Sequence, residues 1–294
     1  MTDLYPSRVA PRPELRARHD PVVYGTAETG PLPSASLSRY ERNGYLAFDQ
    51  LLPESEVRDL RAELDRLWAW AGDAKDETII REPSSQEVRS VFAIHRGDGL
   101  FARLAADRRI VGMAEQILGG PVYIHQSRVN FKKGFTGKEF YWHSDFETWH
   151  VEDGMPRMRA FSLSIALTDN LPHNGPLMVI PGSHRRYVAC VGTTPEDHYK
   201  ASLRRQEYGV PDEESLVGLV AEGGLAAPTG KAGAAVLFDC NTMHGSNSNI
   251  TPLPRSNIFI VYNSVENALV APFGGHKPRP EFVATRNATP LTAA

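Results

Sequence analysis

The chain has 294 residues, with 32 Lys and Arg against 35 Asp and Glu and a net charge of −3. That balance removes the electrostatic footing for nucleic-acid binding, and no run of about 18 apolar residues offers a membrane span. At 41% hydrophobic and 23% charged residues there is ample material for a core, in one large domain or two of about 150 residues. The opening MTDLYPSRVA lacks the apolar centre of a signal peptide. The two cysteines, Cys190 and Cys240, are too few for a disulfide framework, so a reduced, cytoplasmic setting is expected.

Residues 1–36 read as an extended arm. Pro6, Pro11, Pro13, Pro21, Pro31 and Pro33 fix φ and remove backbone donors, and few apolar residues separate them. The expectation is a segment lying on the surface or loosely ordered. A short helix through Arg39 and Tyr40 should stop at Gly44. Ser55 reads as the cap of a second helix with Val57, Leu60, Leu64 and Leu67 along one buried stripe. A third helix is expected over 100–118, stopping at Gly119-Gly120. From residue 121 the period changes to that of strands, at 121–131, 161–168, 177–180, 234–238 and 257–262. Helices followed by strands predict a mainly β domain over 37–294, a sandwich or barrel with helical cover. Residues 185–233 carry few strand signals and read as an active-site cover or a long loop.

The chemistry concentrates in Phe140 to His150. On an extended strand, residues i and i+2 share a face, so His143 and Asp145 can reach one ion. Two imidazoles and a carboxylate are the usual donor set of a non-haem Fe(II) oxygenase. The second imidazole must come from elsewhere, and His244 lies at a loop mouth after the strand at 234–238. Eleven residues beyond it, Arg255 can return to the same cavity, where its guanidinium can hold a carboxylate in two bonds. Arg255, Asn257 and Phe259 share one strand face, and Ile258, Ile260 and Tyr262 share the other. By the same test Ser164 lies on a small hydroxylated face of 161–168, and Gln126, Arg128 and Asn130 share a face of 121–131. A competing site would join His143 and His150 around zinc with Glu147 as base. Trp149 reads better as a substrate wall, and the zinc arrangement leaves Arg255 without a task. His184 reads as a hydrogen-bonded turn histidine, and His95 and His125 as structural.

These residues carry a family resemblance. His143-x-Asp145, Asn174-Gly175 with Pro181-Gly182-Ser183-His184, and His244 with Arg255 resemble the phytanoyl-CoA dioxygenase family over roughly residues 38–265. The resemblance implies a double-stranded β-helix (jelly-roll, cupin-like) core, Fe(II), and 2-oxoglutarate and O2 as co-substrates. The block FYWHSDFETWHVEDGMP is similar to the signature of the ectoine hydroxylases in that family, and the start DLYPSR is similar to theirs too. It implies 5-hydroxylation of the compatible solute ectoine by a homodimer. His143, Asp145 and His244 would be the iron ligands. Arg255 would anchor the distal carboxylate of 2-oxoglutarate, with Phe92, Asn130, Ser164 and Ser246 as further contacts. Gln126, Thr148, Trp149, Asn257, Phe259 and Arg279 would form the ectoine pocket.

Ectoine is a small ring with a delocalised cation and a carboxylate. Trp149 suits the cation, and its polar neighbours argue against burial in a core. Arg279 suits the carboxylate. Iron, Asp145, the co-substrate dianion and Arg255 together carry no net charge, which a dry cavity tolerates. The rival readings are a related oxygenase acting on another small amino-acid-like metabolite, and a non-enzymatic protein that keeps the fold.

Overall fold

The computed structural model describes residues 2–82 and 85–294. In chain order it contains β1 (Glu14–Ala17), α1 (Ser34–Asn43), β2 (Tyr45–Phe48), α2 (Glu54–Asp73), β3 (Ile79–Arg81), β4 (Val88–Phe92), α3 (Leu100–Ala105) and α4 (Arg108–Leu118). There follow β5 (Val122–Lys132), β6 (Phe140–His143), α5 (Asp145–Thr148), β7 (Ala160–Ala166), β8 (Leu177–Val179), β9 (Arg186–Ala189), α6 (Tyr199–Ser202), α7 (Glu213–Gly223), β10 (Ala235–Asp239), β11 (His244–Ser246) and β12 (Arg255–Ser264). The pairing is antiparallel throughout. Among the described residues a seven-stranded sheet runs β2-β10-β7-β12-β5-β4-β3, a three-stranded sheet runs β6-β11-β8, and β1 pairs with β9. This is a jelly-roll with helices on its outer face.

The outer layer follows from periodicity. Val57, Leu60 and Leu64 of α2 are buried with Ile110, Ala114 and Ile117 of α4 against Leu163, Ile165, Ile258, Ile260 and Tyr262 of the large sheet. Leu60→Ala should destabilise the protein by about 2–5 kcal/mol, seen as a lower denaturant midpoint at unchanged slope. Pro53, not Ser55, occupies the cap position of α2 and makes no side-chain cap bond. The single helix expected over 100–118 is two helices, because the Asp107 side chain accepts from Arg109 N and starts a new one. α1 does end at Gly44, with φ 77°. A Cβ there would lie 2.4 Å from His184 Nδ1 and 2.7 Å from Thr242 Oγ1. The glycine therefore lets α1 close against the loop that carries His244.

β5 holds a phase change. It pairs with β12 with a register shift opposite Val261 and Tyr262, so that Gln126 faces Val261 while Ile124 faces Tyr262. His125 is the extra residue of a β-bulge. Before it, Val122 and Ile124 join the outer core; after it, Val129 and Phe131 do. Gln126, Arg128, Asn130 and Lys132 are thereby turned to the inner face.

The arm does not lie loose on the surface. β1 adds to β9, Tyr5 is fully buried with its hydroxyl donating to Asp20 Oδ2 at 2.8 Å, and Ser7 and Arg8 are buried as well. Composition misread it because its partners are ions more than a hundred residues away. Residues 185–233 contain β9, α6 and α7. Ser202, Leu203 and Gln206 from this stretch line the same cavity as His143 and Asp145.

Candidate active site

Two strand ends and a helix start bring three donors together. His143 closes β6 and His244 opens β11, and the two are register partners, which puts their rings 4.3 Å apart. Asp145 is not on the strand as expected: it is the first residue of α5, reached through an extended Ser144. The alternation still holds across that junction. Donor atoms of His143, Asp145 and His244 all lie within 4.8 Å of one another. Asp145 Oδ1 is 3.6 Å from His143 Nε2 and 3.9 Å from His244 Nε2.

The surroundings prepare these donors. His143 Nδ1 lies 2.7 Å from Tyr141 O and His244 Nδ1 lies 3.0 Å from Thr242 O. Each Nδ1–H donates to a carbonyl, which leaves the Nε2 lone pair for an ion. Burial and the neighbouring His143 push the His244 pKa down to about 4, so its imidazole is neutral at pH 7. Burial alone would raise the Asp145 pKa. His244, His143 and Arg128 outweigh it and hold the carboxyl well below the ordinary range. Ser162 Oγ donates to Asp145 Oδ2 at 3.0 Å and sets its rotamer. Two imidazoles and one carboxylate, the metal-donor group found among the described residues, fit a divalent iron ion.

A buried cation of β12 is linked to the strand that carries His244. Arg255 is 3% exposed, and its Nε and Nη1 have no hydrogen-bond partner among the described residues. Burial brings its pKa down to about 10, still charged at pH 7. A guanidinium desolvated without a counter-ion is costly, and a carboxylate would satisfy it. Across the ladder sits Lys132, also buried, whose Nζ donates to Ser246 Oγ at 2.8 Å. Its pKa is held well below the usual value by burial and then by Arg255. Lys132 thus links Arg255 to Ser246, two residues beyond His244 on β11, and an orphaned buried cation there suits the far carboxylate of a chelating dicarboxylate such as 2-oxoglutarate.

A cavity of ≈ 70 Å³ is lined by Ser90, Phe92, Gln126, Arg128, Phe140, His143, Asp145, Thr148, Trp149, Ser202, Leu203, Gln206 and Arg279. It shares Phe140, His143, Ser202 and Gln206 with an outer cleft of ≈ 330 Å³. Of the residues expected in the substrate pocket, Gln126, Thr148, Trp149 and Arg279 line the cavity. Asn257 and Phe259 do not; they lie deeper, with Asn257 Nδ2 donating to Ser164 Oγ at 3.0 Å and Phe259 packed in the apolar layer between the sheets. Of the expected co-substrate contacts, Phe92 lines the cavity and packs edge-on against Phe282. Asn130 is reached through Ser90, whose Oγ donates to Asn130 Oδ1 at 2.8 Å.

Three expectations change. Trp149 is 3% exposed and belongs to an apolar cluster with Tyr5, Phe146 and Met155, so it is core as well as wall. Its polar sequence neighbours misled because they are buried too, Thr148 bonded by Gln206 and His150 bonded to Met155 O. Arg279 lines the cavity as expected but is already paired, its Nε and Nη2 gripping Asp153 at 2.7 and 2.6 Å. The site holds more buried cations than Arg255 alone: Arg128 lines the cavity, and Lys132 is buried opposite Arg255. Arg128 lies 4.9 Å above the Phe259 ring, bonds Gln126 Oε1 and feels the Asp145 charge. Arg128 shares the predicted face of Gln126 and Asn130, and continuing that alternation two residues reaches Lys132. The zinc alternative loses its base: Glu147 is held by Arg8 at 2.7 Å and by Ser7, and His150 bonds Met155 O and Asp3.

A family model for phytanoyl-CoA dioxygenase matches residues 40–257. The ectoine dioxygenase of Stutzerimonas stutzeri (strain A1501) is 59% identical over 291 residues, covering 98% of this chain and 96% of that protein. The crystal structure of EctD from S. alaskensis with 2-oxoglutarate and 5-hydroxyectoine is similar at a TM-score of 0.91 and 50% identity, covering 100% of this chain and 98% of that one. A second EctD structure from S. alaskensis, with bound Fe, is similar at a TM-score of 0.88 and 48% identity over the same shares of the two chains.

Proposed function

The chain belongs to the phytanoyl-CoA dioxygenase family, and from that premise we propose that it hydroxylates ectoine to 5-hydroxyectoine, consuming 2-oxoglutarate and O2 and releasing succinate and CO2. The observation that carries this reading is the meeting of His143, Asp145 and His244, together with a buried Arg255 whose Nε and Nη1 have no hydrogen-bond partner among the described residues. Ectoine dioxygenases similar over nearly the whole chain support the substrate.

Bound at the triad, iron with 2-oxoglutarate and O2 supplies the oxidation that turns a substrate C–H bond into C–OH. The protein's own residues do the rest. His143 and His244 offer Nε2 in a tautomer set by Tyr141 O and Thr242 O. Asp145 brings the negative charge that partly neutralises the metal. Arg255 takes the far carboxylate of 2-oxoglutarate, with Lys132 and Ser246 beside it. Trp149 offers part of its indole to the delocalised cation of ectoine, worth about 0.5–2 kcal/mol depending on desolvation. Arg279, held in place by Asp153, and Arg128 are the cations that line the cavity for the ectoine carboxylate. Gln126 and Thr148 orient the ring by hydrogen bonds. Gln206 donates to Thr148 Oγ1 at 3.3 Å and, with Leu203, draws the cover over the cavity to exclude water.

The test is mass spectrometry of ectoine incubated with the protein, Fe(II), 2-oxoglutarate and air. A gain of one oxygen with matching succinate supports the reading. Succinate release stimulated by another small metabolite, and not by ectoine, would replace the substrate. Trp149→Ala should raise the ectoine KM about tenfold, about 1.4 kcal/mol, while uncoupled 2-oxoglutarate consumption changes less. Because Trp149 is also core, Trp149→Phe serves as the stability control. No helix among the described residues is long and apolar enough to cross a membrane. A homodimer in the cytoplasm completes the reading. Both cysteines, Cys190 and Cys240, are buried and unpaired, which suits a reducing compartment.

A further inference from the structure

We infer that Arg8, in the N-terminal arm, is a positioning residue of the substrate pocket: it clamps the cover over 194–210 onto the helix that carries Asp145 and Thr148. The inference rests on the ectoine reading above. Arg8 Nε and Nη2 hold both oxygens of Glu147, at 3.0 and 2.7 Å. Its Nη1 donates to Glu152 Oε1 at 2.7 Å and to Thr194 Oγ1 at 2.8 Å. Glu152 in turn accepts from His198 Nδ1 at 2.8 Å. One guanidinium thus joins the arm, the segment that carries Thr148 and Trp149, and the start of the cover. Its side chain is 2% exposed, and those of Glu147 and Glu152 are 1% and 5% exposed, so these are buried charges held by fixed geometry.

Two further observations place the far end of the cover on the same ion pair. Gly209 has φ +69°, and a Cβ there would lie 2.3 Å from both Arg8 Nη2 and Glu147 Oε2. The cover backbone therefore rests directly on the clamp, and only glycine fits. Three residues earlier, Gln206 bonds Thr148 and lines the cavity. Arg8 itself has φ 59°, a conformation disfavoured for a side-chain-bearing residue, and its N–H donates to Cys190 O at 2.7 Å. Surrounding contacts must hold such a backbone. None of these atoms reaches the iron donors. The clamp reaches the site through Thr148 and the cover, so its loss acts chiefly on the substrate side.

Arg8→Ala, Arg8→Lys and Gly209→Ala test it. The expected result is an ectoine KM raised about tenfold in Arg8→Ala and Gly209→Ala with the 2-oxoglutarate KM within about twofold of wild type, since small misplacements far from the chemistry act on orientation. Less 5-hydroxyectoine should form per succinate, and Arg8→Lys should recover part of the loss. Without ligand, trypsin should cut after Arg204 and Arg205 faster in the variants than in wild type. Equal rises in both KM values, or an unchanged ectoine KM, would overturn the inference and leave Arg8 with a purely structural role. If Arg8→Ala fails to fold, Arg8→Lys and Gly209→Ala decide by the same readings. If wild type does not hydroxylate ectoine, the functional reading falls. The ligand-free cleavage comparison then still decides whether Arg8 holds the cover: faster cutting in the variants upholds the clamp, and equal rates overturn it.

Discussion

Replacing Asp145 with alanine should abolish turnover while leaving a folded protein. The side chain supplies the negative charge among the three donors, and its neighbours are two imidazoles whose Nε2 atoms face it at 3.6 and 3.9 Å. Without it, two neutral nitrogens remain, too few to hold a divalent ion against water. Turnover should fall more than about 10³-fold, equivalent to about 4 kcal/mol of lost transition-state stabilisation. Iron content after gel filtration should fall in parallel. The fold should survive, because what Asp145 touches is the site itself: the 3.0 Å bond from Ser162 and the charges of His143, His244 and Arg128, none of them part of the apolar core. Iron content and turnover like wild type in this variant would remove the metal assignment.

Arg255 should show the opposite balance between stability and activity. In the ligand-free protein its guanidinium is buried with two unsatisfied nitrogens, and burial lowers its pKa to about 10. The sign follows from that direction. A cation whose folded pKa lies below its unfolded value costs stability wherever it is charged, and the cost fades only as pH rises through about 10. Arg255→Met, which keeps the bulk and removes the charge, should therefore leave the ligand-free protein as stable as wild type or more so at pH 7. The same change should raise the 2-oxoglutarate requirement by about 30-fold or more, the loss of a charged bidentate pair worth ~2 kcal/mol or above. Arg255→Lys keeps the charge without the fork and should fall between. Thermal melts with and without 2-oxoglutarate check both halves. Co-substrate should raise the wild-type Tm and leave that of Arg255→Met in place. An unchanged 2-oxoglutarate dependence in Arg255→Met would contradict the anchor.

What the sequence made legible was set by local period. The stripe of Val57, Leu60 and Leu64, the two faces of β12 and the inner face of β5 each follow from side chains repeating every two, three or four residues. His143 and Asp145 were readable as a pair because they lie two apart, and Arg255 because it sits on a face with Asn257. Elements whose partners are distant were not readable. β6 and β11 are four and three residues long and exist as strands because they pair with each other across a hundred residues. Arg8 carries no periodic signal, and its partner Glu147 is 139 residues away. Lys132 continues the alternation of Gln126, Arg128 and Asn130, but only the folded chain places Arg255 opposite it. The pairing of Arg279 with Asp153, 126 residues away, was hidden for the same reason.

The bulge at His125 has a wider meaning for how this strand can vary. It works as a phase shifter inserted between two halves of one ribbon. Upstream, Val122 and Ile124 answer to the helices; downstream, Gln126, Arg128, Asn130 and Lys132 answer to the chemistry. A single unpaired residue insulates the two, so the helical layer is free to drift in sequence without re-aiming the row of polar groups. Deleting that residue would fuse the halves into one alternation. Either the arginine and lysine would be driven toward the packed helices, or the valine and isoleucine would be turned into the catalytic chamber.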